Sequence, residues 1–163
     1  MQKVIITGAD GFVGSYTVDC FLQHGKEVLA LDIVDKPRRL KAHPNLQYRK
    51  LDVTQIGELL NTIDKDYYDT FIHFAWEGSA GPKRVDYDLQ MKNAIDTVEI
   101  MKKAKIIGCK RFLCAGSIME KEVSAAVSQQ GSKPGMGYIY GMGKMIAHAL
   151  CKSVAVDIGI ELI

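Results

Sequence analysis

Two residues near the end of the chain have the types and the spacing for proton transfer. In the stretch YIYGMGK, Tyr140 and Lys144 stand at i and i+4. On a helix such positions share a face, about one turn apart. An unperturbed phenol ionises near pH ~10, too high for an acid–base group at neutral pH. A neighbouring ammonium stabilises the phenolate and lowers that value. Such a tyrosine can take a proton from an alcohol as hydride departs, or return one during reduction. Tyr138 lacks this arrangement, since four residues on it meets Met142. The spacing alone also suits a surface lysine packing its stem on an aromatic ring. Ser117, in FLCAGSIME, directly follows an apolar run. Its hydroxyl would emerge at the end of a strand, to share a substrate oxygen with Tyr140 or to cap a turn or helix.

Hydride chemistry needs a partner, and the start of the chain offers a place for one. In MQKVIITGADGFVG, Gly8, Gly11 and Gly14 follow a short apolar run at intervals of three. A helix opening near Gly11 presents unpaired N–H groups and the positive end of its dipole, both suited to a pyrophosphate. Glycine lets the backbone approach the phosphate and the helix pack close to the strand. Asp10 is awkward there, because a carboxylate repels a pyrophosphate; its side chain is expected to turn toward solvent or cap the helix start. Asp32 ends the next apolar run, 24 residues after Gly8. At that place a carboxylate accepts two ribose hydroxyls and repels a 2′-phosphate, which favours NAD over NADP. Lys36, Arg38 and Arg39 stand just beyond and could bind a phosphate instead.

These groups need a scaffold that brings distant positions to one edge. Lys3–Thr7 is expected to be a strand buried on both faces. A helix over 12–24 follows, with Val13, Tyr16, Thr17, Cys20 and Phe21 at helical spacing and Gly25 as its stop. Strands are expected at 27–32, 46–51, 70–75 and 110–115, and a short helix at 55–64. The stretch 86–107 lacks Pro and Gly and places Leu89, Ile95, Val98, Met101 and Ala104 near one stripe. Residues 118–137, with no clear period, Pro134 and three glycines, are expected to be loop with at most one irregular turn. Residues 138–156 are expected to be helical, and a sixth strand starts at Gly159. Alternating strands and helices predict a doubly wound parallel sheet of Rossmann type, with helices on both faces and the sixth strand at the carboxyl-terminal end.

The totals exclude several classes. At 163 residues the chain is one domain's worth, with 47% apolar residues and a net charge of +2. That balance gives no argument for nucleic acid or an acidic membrane surface as partner. No apolar run approaches the ~18 residues of a membrane span. The start lacks the pattern of a signal peptide, so a cytoplasmic protein is expected. Cys20, Cys109, Cys114 and Cys151 have no CxxC spacing, and the four histidines are scattered. Reduced core thiols and no metal site are expected.

Together the pieces resemble the extended short-chain dehydrogenase/reductase family, the NAD-dependent epimerases and dehydratases of nucleotide sugars. The matching residues are TGADGFVG, Asp32, LDVT (Asp52, Val53), HFAW (His73 to Trp76), Asn93, Ser117, and Tyr140 with Lys144. The resemblance implies that Phe12 and Val13 share the cofactor-binding turn with the glycines. It implies Asp52 and Val53 near the adenine, with Phe74, Ala75 and Trp76 along the cofactor's inner half. Asn93 joins the cofactor-binding residues. Ser117, Tyr140 and Lys144 would form the catalytic set, Lys144 also holding the nicotinamide ribose. The family's dimers pair the two long helices into a four-helix bundle, so a homodimer is expected.

Two departures refine the expectation. In the family's 4,6-dehydratases the residue matching Ser117 is followed by Asp-Glu; here Ile118 and Met119 follow, and Glu120 comes one place late. Neither Ile nor Met moves a proton, which points to a 4-epimerase or 4-ketoreductase. Family members are also about twice as long. Residues 1–163 are therefore expected to be the NAD-binding part of such an enzyme, without the substrate domain and inactive alone. The alternative is a catalytically silent NAD-binding or redox-sensing module, which would have no need to keep Tyr140 and Lys144.

Overall fold

The computed structural model describes residues 3–61, 67–129 and 138–163. Six strands form one sheet: β1 Lys3–Thr7, β2 Glu27–Asp32, β3 Leu46–Lys50, β4 Thr70–His73, β5 Arg111–Cys114 and β6 Glu161–Leu162. All neighbours are parallel, in the order β3-β2-β1-β4-β5-β6. The order reverses between β1 and β4, which makes the carboxyl end of β1 a switch point where such sheets bind ligands.

The apolar runs of β1 and β2 supply both faces of the sheet, because side chains alternate along a strand. On one face Ile5, Leu29, Leu31, Phe71 and Phe112 pack against helices α2 (Tyr87–Ile107) and α4 (Tyr138–Ile158). On the other, Val4, Ile6, Val28, Ala30 and Ile72 pack against α1 (Phe12–Gln23). The doubly wound parallel sheet expected from the sequence is the observed fold.

The helical faces differ from expectation. In α1 the buried residues are Gly14, Ser15, Val18 and Leu22, while Val13 and Tyr16 face solvent. The closest contact with the strand is made by the small Gly14 and Ser15, with Val18 and Leu22 buried further along and Phe21 partly buried. In α2 the buried set includes Gln90, Ala94, Thr97, Ile100, Met101, Ala104 and Ile107. Ile95 is exposed, so the stripe anticipated for this helix is fully buried only at Met101 and Ala104, with Val98 partly buried against the core. The segment after β5 is not all loop: Met119–Val127 forms helix α3, burying Val123 and Ala126. Two apolar positions three apart are too few to show a period. Pro134 lies outside the described residues. The short helix anticipated at 55–64 is a 3₁₀ helix over Val53–Asn61, kinked at Gln55; its expected end also lies outside them.

Candidate functional site

The turn after β1 is built by contact too close for side chains. A Cβ on Gly14 would stand 2.1 Å from the Gly8 carbonyl oxygen, and one on Gly8, at φ +65°, would stand 2.7 Å from the Ala75 backbone nitrogen. The turn thus sits against both its own helix and the chain leaving β4. The backbone of Phe74 and Ala75 abuts it. Phe12 and Val13 open α1 with exposed side chains.

Asp32 is brought to the same turn. Its Oδ2 accepts the Asp10 N–H at 2.8 Å and its Oδ1 accepts the Ile33 N–H at 2.8 Å. The carboxylate is thereby held rigid at the carboxyl edge of β2, with lone pairs left on each oxygen. Asp10 corrects the expectation made for it. Its side chain is buried and neither faces solvent nor caps α1. It accepts backbone N–H groups from Arg38 (2.9 Å), Arg39 (2.7 Å) and Leu40 (3.3 Å). Burial alone would raise its pKa; these three donors outweigh burial and hold it below the usual carboxylate value. The repulsion that made this residue awkward is absorbed by a loop folded over the carboxylate. Arg39 Nη1 also donates to the Asp10 carbonyl at 3.2 Å.

Asp52 and Val53 follow β3 at the same edge. The Thr54 N–H and hydroxyl both bond Asp52 Oδ1, at 2.9 and 2.8 Å, and lower its pKa. Val53 packs partly against the core.

Beyond β4 the chain is tied to α2. Asn93 Nδ2 donates to the Glu77 carbonyl at 2.8 Å. The fully buried Gln90 accepts from Trp76 Nε1 at 2.8 Å and donates to the Lys83 carbonyl at 2.9 Å. Gln90 fixes the indole, yet nothing in the sequence distinguishes it from a surface glutamine. Beneath this loop His73 is buried between Thr7 (2.7 Å) and Thr97 (3.4 Å). Burial, then the nearby Lys144 ammonium, pushes its pKa down to about 3, so the ring is neutral.

Trp76 joins the two halves of the site. The Tyr140 ring meets it edge-on at 6.1 Å between centroids, and Lys144 Nζ lies 3.7 Å over it. Lys144 is buried, with Nζ donating to the Ala115 carbonyl at 3.0 Å. Burial pushes its pKa down to about 8, against the pull of Cys114 and Glu120. Arg84, which the sequence did not single out, lies with its guanidinium carbon 4.2 Å from the Tyr140 ring centroid. Tyr140 and Lys144 therefore meet at one indole, the face-sharing that their spacing anticipated.

Ser117 is less simply placed. Its Oγ accepts the Met119 N–H at 3.2 Å, and Glu120 Oε1 accepts the Ser117 N–H at 2.6 Å. These are the reciprocal bonds of a capping box, and S-x-x-E was the signal in the sequence for the start of α3. The hydroxyl proton stays available to donate. Among the described residues no bond joins Ser117 to Tyr140. Glu120 Oε2 also meets His148 Nδ1 at 3.1 Å.

A cavity of about 410 Å³ lies between α4 and the sheet, lined by His73, Trp76, Cys114, Lys144 and His148 among others. It touches none of the glycine-turn residues but shares Trp76 and Lys144 with the candidate site. Among the described residues no group of three or more His, Cys, Asp and Glu could hold a metal, and no helix is long and apolar enough to cross a membrane.

Known proteins resemble this chain along nearly its whole length. A protein from Staphylococcus epidermidis described as an uncharacterized epimerase/dehydratase is 30% identical, over 99% of this chain and 51% of its own. A UDP-glucose 4-epimerase of Cyamopsis tetragonoloba is 26% identical, over 94% of this chain and 47% of its own. The chain thus spans about half the length of the curated relatives it matches. Among solved structures, MoeE5 in complex with UDP-glucose and NAD shares the fold, with a TM-score of 0.72 and 23% identity over 98% of this chain and 51% of that one. The model of the NAD dependent epimerase/dehydratase family matches residues 4–163. The chain belongs to that family.

Proposed function

We propose that the chain is the NAD-binding part of a nucleotide-sugar 4-epimerase or 4-ketoreductase, with Tyr140 as its acid–base residue. The observation that carries this reading is the meeting of Tyr140 and Lys144 on Trp76, on the segment whose start abuts the glycine turn. The turn suits a dinucleotide: its free N–H groups open α1, and the space beside Gly14 admits no side chain. Gly8, Gly11, Phe12, Val13 and Gly14 would hold the pyrophosphate, Asp32 the adenosine ribose, and Asp52 and Val53 the adenine. Phe74, Ala75, Trp76 and Asn93 would line the inner half. NAD, when bound, supplies the hydride acceptor or donor.

The chain's own residues supply the proton chemistry. Tyr140 takes the proton from the sugar alcohol, or returns it. Lys144, mostly ammonium at pH 7, would hold the nicotinamide ribose beside Tyr140. Ser117 donates its remaining hydroxyl proton to the substrate oxygen while its lone pair caps α3. Glu120, one place beyond the positions of the dehydratase acids, is bound to the Ser117 backbone and to His148 and so is engaged in structure. A UDP-sugar is the substrate class that the relatives' names suggest.

The assignment is tested by separating binding from chemistry. In a fusion with the carboxyl-terminal half of a 4-epimerase relative, Tyr140→Phe should lower turnover about 10²-fold. NAD affinity should stay within about twofold, since the ring remains. Turnover at the parental rate by the Phe variant would show that another group moves the proton.

A further inference from the structure

The chain has a single tryptophan, and it stands against the lysine that the proposed chemistry needs. Trp76 is half-buried, and its indole touches two side chains of α4. Lys144 Nζ lies 3.7 Å from the ring centroid, over the face of the indole. The same nitrogen donates to the Ala115 carbonyl at 3.0 Å, and Lys144 is only 8% exposed. The ammonium is thus held between a carbonyl and an aromatic face. Lysine has three N–H donors; the carbonyl takes one, and the indole lies against the others as a cation–π partner.

The indole is fastened from its other end. Its Nε1 donates to Gln90 Oε1 at 2.8 Å. The Gln90 amide is oriented by carbonyls around its Nε2: Lys83 at 2.9 Å, Gly78 at 3.2 Å and Glu77 at 3.4 Å. Three acceptors facing the amide nitrogen leave the oxygen as the atom that meets the indole N–H. Gln90 is fully buried, so an indole that leaves takes a donor from a buried acceptor. Trp76 is therefore latched by α2 and stacked on a charge from α4. Trp76 and Lys144 both line the cavity of about 410 Å³, so open space adjoins the indole.

We infer that Trp76 is a gate over Lys144: the ribose of the cofactor's inner half reaches the ammonium only when the indole leaves both Gln90 and the lysine. The gate rests on the NAD reading proposed above. Its closed and open arrangements differ by a cation–π contact and a buried hydrogen bond, set against the ribose bonds to Lys144. A ligand that needs the open arrangement binds with its affinity reduced by the fraction of chains already open. A ligand that ends at the pyrophosphate feels no such reduction. Trp76 thereby divides the site into an outer half that is always available and an inner half that is gated. The Tyr140 ring meets the same indole edge-on, so opening is felt at the acid–base residue too.

ADP and ADP-ribose are the probes. Both carry adenosine and pyrophosphate; only ADP-ribose adds the second ribose, and it has no nicotinamide ring to quench the indole directly. Because Trp76 is the sole tryptophan, its emission reports on the gate in the unaltered chain. ADP-ribose should move the emission to longer wavelength and increase its quenching by acrylamide, and ADP should change neither. Calorimetric titration of Trp76→Ala gives the second readout, since this variant uncovers the ammonium. Its affinity for ADP-ribose relative to ADP should rise at least about 5-fold, the scale of a lost cation–π contact and hydrogen bond. Bound ADP-ribose that leaves the emission unmoved, or a relative affinity that stays level or falls in Trp76→Ala, would overturn the gate and leave the NAD reading standing. Failure of both ligands to bind the parent chain would overturn that reading and the gate with it.

Discussion

A buried imidazole sets the acid stability of this fold. His73 lies between two threonine hydroxyls, with a pKa of about 3 against the ordinary 6.5. Its folded value lies below its unfolded one, so the unfolded chain binds more protons between those pH values. The contribution to stability is whole above pH 6.5 and is lost as pH falls from there toward 3. Urea unfolding at pH 7 and pH 5 should differ by about 2 kcal/mol, the acid side being weaker. The lowered carboxylates Asp10 and Asp52 act only further down, and Cys114 and Lys144 titrate above this window. Equal stability at the two pH values would mean that the ring is reached by water. Asp10 makes a second residue-scale case. Removing its carboxylate in Asp10→Ala leaves three N–H groups of the 38–40 loop without their acceptor. The loss should be about 2 kcal/mol or more by the same unfolding measurement, on the scale of hydrogen bonds to a charged group. A solvent-facing carboxylate would cost almost nothing. The sequence located this aspartate and misjudged its direction, because its partners are backbone groups nearly thirty residues away.

Between elements, the site depends on how closely α4 approaches α2. A Cβ on Gly143 would stand 2.9 Å from the Gln90 carbonyl oxygen, one residue before Lys144. Two effects oppose each other in Gly143→Ala. Helix propensity favours alanine by about 1 kcal/mol. Overpacking against a backbone atom costs about 1–3 kcal/mol. The backbone cannot swing aside as a side chain would, so the second effect should win. The melting temperature is expected to fall; a rise would mean that the helices have room to separate. Gln90 carries the Trp76 indole, so the same substitution should disturb the surface on which Tyr140 and Lys144 meet. Elements of this sheet were legible in the sequence wherever burial is two-sided. The runs KVIIT and EVLALD have no other use, and the strand–helix alternation gave the fold. The helix faces were less legible. α1 buries glycine and serine, and α2 buries Gln90 and Thr97, so apolar spacing pointed to residues such as Ile95 that remain outside. Helix α3 went unread because it shows no apolar period; its start is tied by the Ser117–Met119 and Ser117–Glu120 bonds.

At the scale of the molecule, the candidate site draws on both ends of the chain. The turn after β1, Asp32 after β2 and the segment after β4 converge at the switch point of the sheet. The sequence named these segments one by one; that Trp76 is the shared surface for Tyr140 and Lys144 required the fold. Self-association through α2 and α4 is the assembly we propose. Ile100 and Ile107 are buried within the chain, so the interface would draw on the exposed Ile95, Ile106, Leu150 and Val156. Light scattering should give twice the chain mass, and a monomer at high concentration would rule this interface out. We propose that the three converging segments form a site for NAD with Asp32 as its discriminating group. Calorimetric titration of the chain and of Asp32→Ala with NAD and NADP tests it most directly. The parent should bind NAD at least about 10-fold more tightly than NADP, and Asp32→Ala should lose that preference, because a fixed carboxylate near a phosphate is repulsive on that energy scale. Absence of binding by either dinucleotide, or a parent that binds NADP as well as NAD, would contradict the account.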